Sequence, residues 1–214
     1  MIILGASLIF LIAYFYGSFS TARILAKSIR SLNVEKVGTG LADTENIYTN
    51  ISKSMGILVG ALDLSKAYLF LLVVEFLLRM LDQNSSYLEL GVLYSPNLML
   101  AYGIGMLLGH CLPYSHHFRG GRGIFTYMGF IAYFAFVPML ITVFLALILI
   151  TRFHQIRFAQ YTIVILPVVL FQLFYYLFDW YKPDLPVYFN SILIVTAILM
   201  GVLNFLVSKR LGEF

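Results

Sequence analysis

Long apolar segments dominate this chain and follow one another with only short polar stretches between them. A helix needs about 20 mostly apolar residues to cross the hydrocarbon core of a bilayer. The segments that meet this requirement, wholly or nearly, are residues 2–16, 55–81, 93–112, 123–137, 138–151, 158–178 and 187–207. The pattern predicts an all-α, polytopic integral membrane protein with about seven transmembrane helices, built as a single membrane-embedded domain over residues 1–214.

Composition supports a bilayer as the solvent. Hydrophobic residues make up 61% of the chain and charged residues only 11%, whereas soluble domains carry about 25% charged residues. So few charges do not cover a water-facing surface. The N-terminal apolar run has no basic residue before it and no small-residue cleavage site, so we expect a retained span rather than a signal peptide. A single cysteine, Cys111, excludes an intramolecular disulfide framework.

The fourth and fifth segments could also form one long helix. The residue before a proline disfavours the helical region, so Val137-Pro138 predicts a break and two short helices. Charge distribution favours this count of seven, because it places the N-terminus outside, the C-terminus in the cytoplasm and most basic residues inside. The inner residues are Arg23, Lys27, Arg30, Lys36, Lys53, Arg119, Arg122, Arg152, Arg157, Lys209 and Arg210. The outer charges are Arg79, Asp82, Glu89, Asp179, Lys182 and Asp184.

Two charged residues lie inside the second apolar segment. Asp63 and Lys66 are three residues apart and therefore share one helix face. Each charge costs roughly 2.5–3.5 kcal/mol at a helix centre on insertion scales, so such residues usually face the bundle interior and have partners. Two interpretations remain open, a structural ion pair or the support of a polar cavity that opens toward the cytoplasm.

Residues 109–124, GHCLPYSHHFRGGRGI, separate two of the most apolar segments. A glycine-rich run at a helix start exposes backbone N–H groups, and the helix dipole favours an anion there. Arg122 adds a planar cation suited to phosphate oxygens, and Thr126 adds a hydroxyl. A second glycine turn, residues 38–40, offers a weaker signal of the same kind. The alternatives are a sharp re-entry of the chain with Arg122 at lipid headgroups, and a simple turn at residues 38–40.

Several motifs resemble one family in order and spacing. Gly17-Ser18 closes the first apolar segment, and residues 38–49, GTGLADTENIYT, are similar to the family pattern GSGNxGxTNxxR. Asp63-Leu-Ser-Lys66 follows as an Asp-x-x-Lys. Residues 109–126 match GHxxP…FxGGKGxxT, which is the most specific of these similarities. The family is that of the bacterial membrane-embedded acyl-phosphate:glycerol-3-phosphate acyltransferases, the PlsY family, of which this chain resembles a divergent member.

The resemblance implies a seven-span enzyme of phospholipid synthesis, with an external N-terminus and a cytoplasmic-face active site, in the inner (plasma) membrane. The implied substrates are acyl phosphate and glycerol 3-phosphate, and the product is lysophosphatidic acid. Membrane lipids are expected neighbours; no cofactor, metal or nucleic acid is expected, and oligomeric state stays open, a monomer included. The implied catalytic residues are His110, Lys66 and Arg122. The implied substrate-binding residues are Ser18, Gly38, Thr39, Gly40, Asn46, Asp63, Gly120, Gly121, Gly123, Thr126 and Arg152.

The chain also departs from the family pattern. Thr49 replaces the arginine that would hold the acceptor phosphate, and Leu41 replaces an asparagine. Glu45 replaces a threonine and adds a negative charge near the expected phosphate. Further replacements are Thr39 for serine, Asp43 for glycine, Arg122 for lysine, and Gln155 and Arg157 for serines. Candidates to replace the missing cation are Arg157, Arg152 and Arg23.

These departures leave three functions open. The chain is an acyltransferase acting on glycerol 3-phosphate, a relative with an altered phosphorylated or hydroxylated acceptor, or a non-enzyme such as a small-anion transporter or an inactive lipid-binding relative. The sequence shows no Ser-His-Asp or Cys-His arrangement, so we expect no acyl-enzyme. His110 would orient a phosphate, accept the acceptor's proton or brace the loop. The acyl tail is expected to lie between helices.

Overall fold

The computed structural model describes residues 2–84, 90–181 and 185–212, and within these ranges the chain is all-helical, as predicted. Short 3₁₀ turns cover Val34–Lys36, Tyr114–His116 and Asp179–Tyr181. Three of the predicted outer charges, Glu89, Lys182 and Asp184, lie outside the described residues. The helices are α1 (Ile2–Ser18), α2 (Thr21–Arg30), α3 (Thr44–Asn50), α4 (Lys53–Asn84), α5 (Pro96–Cys111), α6 (Ile124–Phe134), α7 (Phe136–Phe153), α8 (Ile156–Leu177) and α9 (Phe189–Arg210).

Each of the seven predicted segments coincides with a helix, but not every helix is long enough to cross a bilayer. Six candidate spans in the described part of the chain are long and apolar enough to cross a bilayer, and the first of them takes in α1. Helix α6 is apolar but has only 11 residues, so at 1.5 Å per residue it covers about half of the ~30 Å hydrocarbon core. The multi-pass membrane fold is therefore confirmed, whereas seven spans, the orientation of the termini and a single domain stay predictions.

The break between α6 and α7 is real but lies earlier than predicted. It falls at Ala135, whose φ of −136° and ψ of 58° are not helical, rather than at Val137-Pro138. Pro138 instead occupies the first turn of α7. Backbone N–H groups in a first turn have no partner within the helix, so proline costs no hydrogen bond there.

Helix α1 packs along α5 with the two backbones in close approach. A Cβ atom added to Gly109 would lie 2.0 Å from the carbonyl oxygen of Tyr14, and one added to Gly17 would lie 2.2 Å from that of Met106. The Tyr14 hydroxyl donates to the Leu112 carbonyl at 2.8 Å. Small residues allow helices in a membrane to approach in this way, and the approach brings the end of α1 against the end of α5.

The long segment between α1 and α4 folds against the start of α4 rather than forming a loose loop. Ser20 caps the N-terminus of α2, with its side chain accepting from the Arg23 N–H, and Asp43 caps α3 in the same way. The segment has its own small apolar core, formed by Ala22, Ala26, Val34, Ala42, Ile47, Met55 and Val59. The main core lies in the bundle of longer helices. The segment thereby presents residues 38–46 to one end of that bundle.

The close packing of α1 on α5 predicts a large difference between two glycine variants. Gly109→Ala would force a methyl group into the Tyr14 carbonyl and should destabilise the protein by about 1–3 kcal/mol, as overpacking typically does. Gly201→Ala is the matched control, because a Cβ atom there meets nothing within 4 Å. Thermal unfolding in detergent should show a lower Tm for the first variant and an unchanged or higher Tm for the second. Equal Tm values would contradict the packing described above.

The topology predicts opposite sides for the two termini. Cys111 is buried, so single cysteines can be added at exposed Ile3 and Lys209 and labelled in intact cells with a membrane-impermeant maleimide. Seven spans place Ile3→Cys outside, where it labels at once, and Lys209→Cys inside, where it labels only after permeabilisation. Labelling of both positions in intact cells would instead establish six spans.

Candidate active site

A buried ion pair joins α4 and α5 to the end of α1, where the Lys66 ammonium nitrogen lies 3.4 Å from the Gly17 carbonyl oxygen. The Lys66 ammonium nitrogen lies 3.1 Å from Asp63 Oδ1, 2.8 Å from the Phe19 carbonyl oxygen and 3.2 Å from His110 Nδ1. Asp63 Oδ1 also accepts from the Thr21 hydroxyl at 2.7 Å. Each N–H of the ammonium group thus has a protein acceptor. Lys66 and Asp63 hold three helices together, which matches the structural interpretation of this pair.

The same contact sets the tautomer of His110. An ammonium group can only donate, so His110 Nδ1 accepts from Lys66, and the proton of the neutral ring lies on Nε2. The Nε2 edge faces the glycine-rich loop, since a Cβ atom added to Gly121 would lie 3.1 Å from Nε2. A neutral His110 in this tautomer presents a hydrogen-bond donor to the loop. The geometry therefore favours orientation of a bound group over acceptance of a proton.

Residues 120–123 form a tight connection between α5 and α6. The Gly120 N–H donates to the Cys111 carbonyl at 3.1 Å, and a Cβ atom on Gly120 would lie 2.0 Å from the His110 carbonyl oxygen. A Cβ atom on Gly121 would lie 2.8 Å from the Ala42 carbonyl oxygen. Gly123 has a φ of +75° and immediately precedes α6. The loop thus packs between the end of α5 and residues 42–43.

Asn46 organises the other glycine turn. Its side-chain amide donates to the carbonyl oxygens of Val37 at 3.0 Å and Leu41 at 2.9 Å, and its Oδ1 accepts from the Thr39 N–H at 3.1 Å. The Gly40 N–H donates to the Val37 carbonyl at 3.0 Å. Gly38, with a φ of +56°, and Thr39 are exposed on the turn. Because several amides of both turns have protein acceptors, cationic side chains are the better candidates to hold an anion.

Asp43 connects the two glycine turns. One carboxylate oxygen accepts from the Asn46 N–H at 3.0 Å and caps α3, and the other accepts from the Arg122 N–H at 3.4 Å. The side chain is buried, and burial raises the pKa of the Asp43 carboxyl to about 6. Sequence reasoning treated Asp43 only as a departure from the family glycine. Its role in joining the turns depends on contacts that the sequence does not show.

The Arg122 guanidinium group is almost completely buried, at 4% exposure. Its Nη1 donates to the Ser208 hydroxyl at 2.9 Å, and its Nε lies 3.5 Å from Glu45 Oε2. Arg157 donates to the same Glu45 oxygen at 2.9 Å. Asn204, on α9, donates to the Arg122 carbonyl at 3.3 Å. A second cluster of polar side chains, contributed by α3, α8 and α9, thus surrounds Arg122.

An apolar groove of about 420 Å³ lies between α8 and α9, and this cluster of polar side chains lines one end of it. Its polar residues are Arg122, Arg157, Gln160, Asn204 and Ser208, and the other lining residues, such as Val168 and Ile194, are mainly apolar. A groove with cations at one end and an aliphatic wall beyond them suits an amphiphile with an anionic headgroup.

Sequence reasoning missed Gln160, Asn204 and Ser208. The signal for the last two was available, because Asn204 and Ser208 are polar residues four apart on one face of an apolar segment.

The remaining predicted residues fall in different places. Ser18 donates to the Tyr14 carbonyl at 2.9 Å at the end of α1. Thr126 is fully buried in α6, and its hydroxyl has no hydrogen-bond partner among the described residues. Arg152 is exposed in the last turn of α7 and is not among the groove residues. The structure thus brings His110, Arg122 and the two glycine turns into one contact network.

Known proteins named glycerol-3-phosphate acyltransferase are similar to this chain in sequence. Glycerol-3-phosphate acyltransferase 1 of Lactobacillus acidophilus is 31% identical over 140 residues, which are 65% of this chain and 60% of that protein. The glycerol-3-phosphate acyltransferase of Bartonella henselae is 29% identical over 163 residues, which are 75% of this chain and 71% of that protein. The chain thus aligns with about 60% of the length of the first of these relatives.

The fold agrees with a solved structure. A crystal structure of PlsY, an integral membrane glycerol 3-phosphate acyltransferase, in its glycerol 3-phosphate form, has a TM-score of 0.69 to this chain at 22% identity. The match covers 96% of this chain and 89% of that one. Residues 7–210 also match the family described as glycerol-3-phosphate acyltransferase. Because this match runs through nearly the whole sequence, the chain belongs to the glycerol-3-phosphate acyltransferase family.

Proposed function

We propose that the protein is a membrane acyltransferase that transfers a fatty acyl group from acyl phosphate to a hydroxyl of glycerol 3-phosphate and forms lysophosphatidic acid. The proposed site lies at the cytoplasmic face of the inner (plasma) membrane. The observation that carries this proposal is the buried guanidinium of Arg122 at the polar end of an apolar groove. Family membership supports it, because the related proteins carry the name of this activity.

The groove fits the donor better than the acceptor. Acyl phosphate has a long aliphatic tail and a charged headgroup, and the groove offers an aliphatic wall that begins at two arginines. Guanidinium groups match phosphate oxygens in geometry and charge. In the proposed complex the tail lies between α8 and α9, with the phosphate near Arg122 and Arg157. Glycerol 3-phosphate then approaches from the side of residues 38–46.

The proposed reaction needs no covalent enzyme intermediate. The acceptor hydroxyl oxygen attacks the acyl carbon, and a new ester C–O bond forms. The bond between the acyl carbon and the bridging phosphate oxygen breaks, and phosphate leaves with the electron pair. The hydroxyl proton passes to the departing phosphate or to solvent. The donor is already activated, so the protein contributes alignment of two anions and stabilisation of developing negative charge.

Each side chain has a distinct part in this proposal. Arg122 and Arg157 neutralise the donor phosphate. His110 donates from Nε2 toward a bound oxygen near Gly121. Lys66 acts as a positioning residue, because its ammonium group is committed to Asp63, His110 and the end of α1. Together they describe a site that orients and stabilises rather than one that supplies a nucleophile.

An altered acceptor is the second candidate function. Thr49 stands where the family pattern has an arginine, and the Glu45 carboxylate lies within 3.5 Å of Arg122. Thr49 removes a positive charge where the acceptor phosphate is expected, and Glu45 adds a negative charge beside the nearby cations. A panel of acceptors that includes glycerol, glycerol 3-phosphate and other phosphorylated alcohols separates this candidate from the first. Absence of transfer to every acceptor with several donors would instead favour an inactive lipid-binding relative or an anion transporter.

Removal of the Arg122 cation should nearly abolish transfer. With palmitoyl phosphate and glycerol 3-phosphate, Arg122→Ala should lower kcat/KM about 100-fold, the order expected when one preorganised electrostatic partner is lost. Arg122→Lys keeps the charge and should retain more activity. Phosphate release and lysophosphatidic acid formation by the purified protein in detergent measure the effect.

Two controls accompany this measurement. Arg30→Ala removes an exposed cation at the end of α2 and should change kcat/KM less than twofold. The Tm of each variant shows whether it is folded. Full activity in a folded Arg122→Ala protein would remove Arg122 from the site and leave the proposed reaction standing.

The groove predicts an effect on chain length. Ala197 lines the groove on α9, and at 1.5 Å per residue it lies on the order of 10 Å along the helix from Asn204. Ala197→Phe should fill the groove beyond the headgroup, so use of palmitoyl phosphate should fall at least tenfold while octanoyl phosphate is still used. Competition between the two donors gives the ratio of their kcat/KM values.

A matched variant tests whether the groove itself is responsible. Val195→Phe adds a similar ring at an exposed position of the same helix that does not line the groove, and it should leave the donor ratio unchanged. If Ala197→Phe also leaves the ratio unchanged, the acyl tail lies elsewhere in the protein.

A further inference from the structure

Three N–H donor groups converge on a single oxygen of Glu45, two of them in hydrogen bonds and the third at ion-pair distance. Glu45 Oε2 lies 2.9 Å from Arg157 Nη1, 2.9 Å from Gln160 Nε2 and 3.5 Å from Arg122 Nε. Two guanidinium groups and an amide form the kind of donor set that holds a phosphate oxygen. In this structure a carboxylate of the chain itself occupies that set.

The three donors also line the polar end of the apolar groove. They come from the glycine-rich loop and from α8, whereas Glu45 comes from the first turn of α3. The carboxylate therefore reaches across from another element to the place where an amphiphile in the groove would carry its charge. Its position is a property of this chain, because the family pattern has threonine there.

Glu45 can leave this position without unfolding α3. Its side chain is 26% exposed, and α3 is capped by Asp43 rather than by Glu45. Arg122, in contrast, is buried at 4% exposure, and a buried cation is costly without a compensating anion. Arg122 therefore requires negative charge beside it, and Glu45 supplies one such charge.

We infer that Glu45 is a resident anion that the phosphate group of an acyl phosphate must displace from Arg122 and Arg157, so that this residue sets the affinity of the groove for phosphorylated amphiphiles. The inference rests on the proposed function for the identity of the donor. When the donor binds, its phosphate takes over the three hydrogen-bond donors and Glu45 turns toward solvent. After transfer, the return of Glu45 provides the replacement charge that lets inorganic phosphate leave.

The test measures binding without turnover. Hexadecylphosphonate is a stable amphiphile whose fully ionised headgroup has the charge of an acyl phosphate, and its Kd can be measured by calorimetry in detergent at a pH at which the phosphonate is a dianion. Glu45→Gln removes the competing charge and keeps the length of the side chain, so the Kd for hexadecylphosphonate should fall at least tenfold. The Kd for inorganic phosphate, measured in the same way, should fall in parallel.

Glu35→Gln is the matched control. Glu35 is a carboxylate in the same segment that pairs with an arginine, Arg23, at 3.2 Å, and it does not line the groove. Removal of its charge changes the net charge equally and should alter the Kd less than twofold. An equal gain in affinity in both variants would show a general electrostatic effect and would overturn the assignment to Glu45.

A second variant covers the case in which Glu45→Gln lowers Tm. Glu45→Asp keeps the charge but withdraws the carboxylate by one methylene group, and it should also bind hexadecylphosphonate more tightly than the unchanged protein. Unchanged or weaker binding in the folded variants would mean that Glu45 holds the arginines in place and does not compete with phosphate. A gain in affinity in a protein that transfers no acyl group would uphold the inference and overturn the proposed function.

Discussion

The buried ammonium group of Lys66 is the contact on which the arrangement of the site depends. A charge within a helix bundle is tolerated only when partners satisfy it, and the partners here come from α1, the residue after it, α4 and α5. They set the end of α1 against α4, and they fix the tautomer of His110. Removal of one member of a buried pair typically costs about 3–5 kcal/mol, so these helices cannot shift independently. The orientation of His110 toward Gly121 follows from this constraint.

From His110 the site continues as a series of contacts between loops. Gly121 lies between His110 and Asp43, and Asp43 joins the N-terminus of α3 to the backbone of Arg122. The guanidinium of Arg122 then reaches α9 through Ser208 and reaches α3 through Glu45. Negative and positive side chains alternate along this path, so the Glu45 carboxylate lies beside the cations of Arg122 and Arg157. In the proposed complex an anionic ligand exchanges with charges of the protein rather than entering an uncompensated cationic pocket.

Much of the fold and part of the site were predictable from local patterns. Hydropathy placed all seven apolar segments on helices, and the spacing of Asp63 and Lys66 predicted a shared face that the structure confirms. The glycine-rich motifs indicated the family, and the match of residues 7–210 confirms it. The break between α6 and α7 was placed too late, because the rule for residues before proline ignores the tolerance of a first turn for proline. Gln160 and Ser208 were missed, because they matter through contacts with residues distant in sequence.

The sequence by itself determined that the chain is an all-helical membrane protein with its polar chemistry in two glycine-rich turns and one charged helix face. It did so because hydrophobic length and helical periodicity are local properties. Only the tertiary structure decided that Lys66 is fully engaged by the protein, that Asp43 joins the turns and that Glu45 faces two arginines. These outcomes depend on how α3, α4, α8 and α9 meet, and side-chain hydrogen bonds across such junctions are set by packing geometry that residue order alone does not encode.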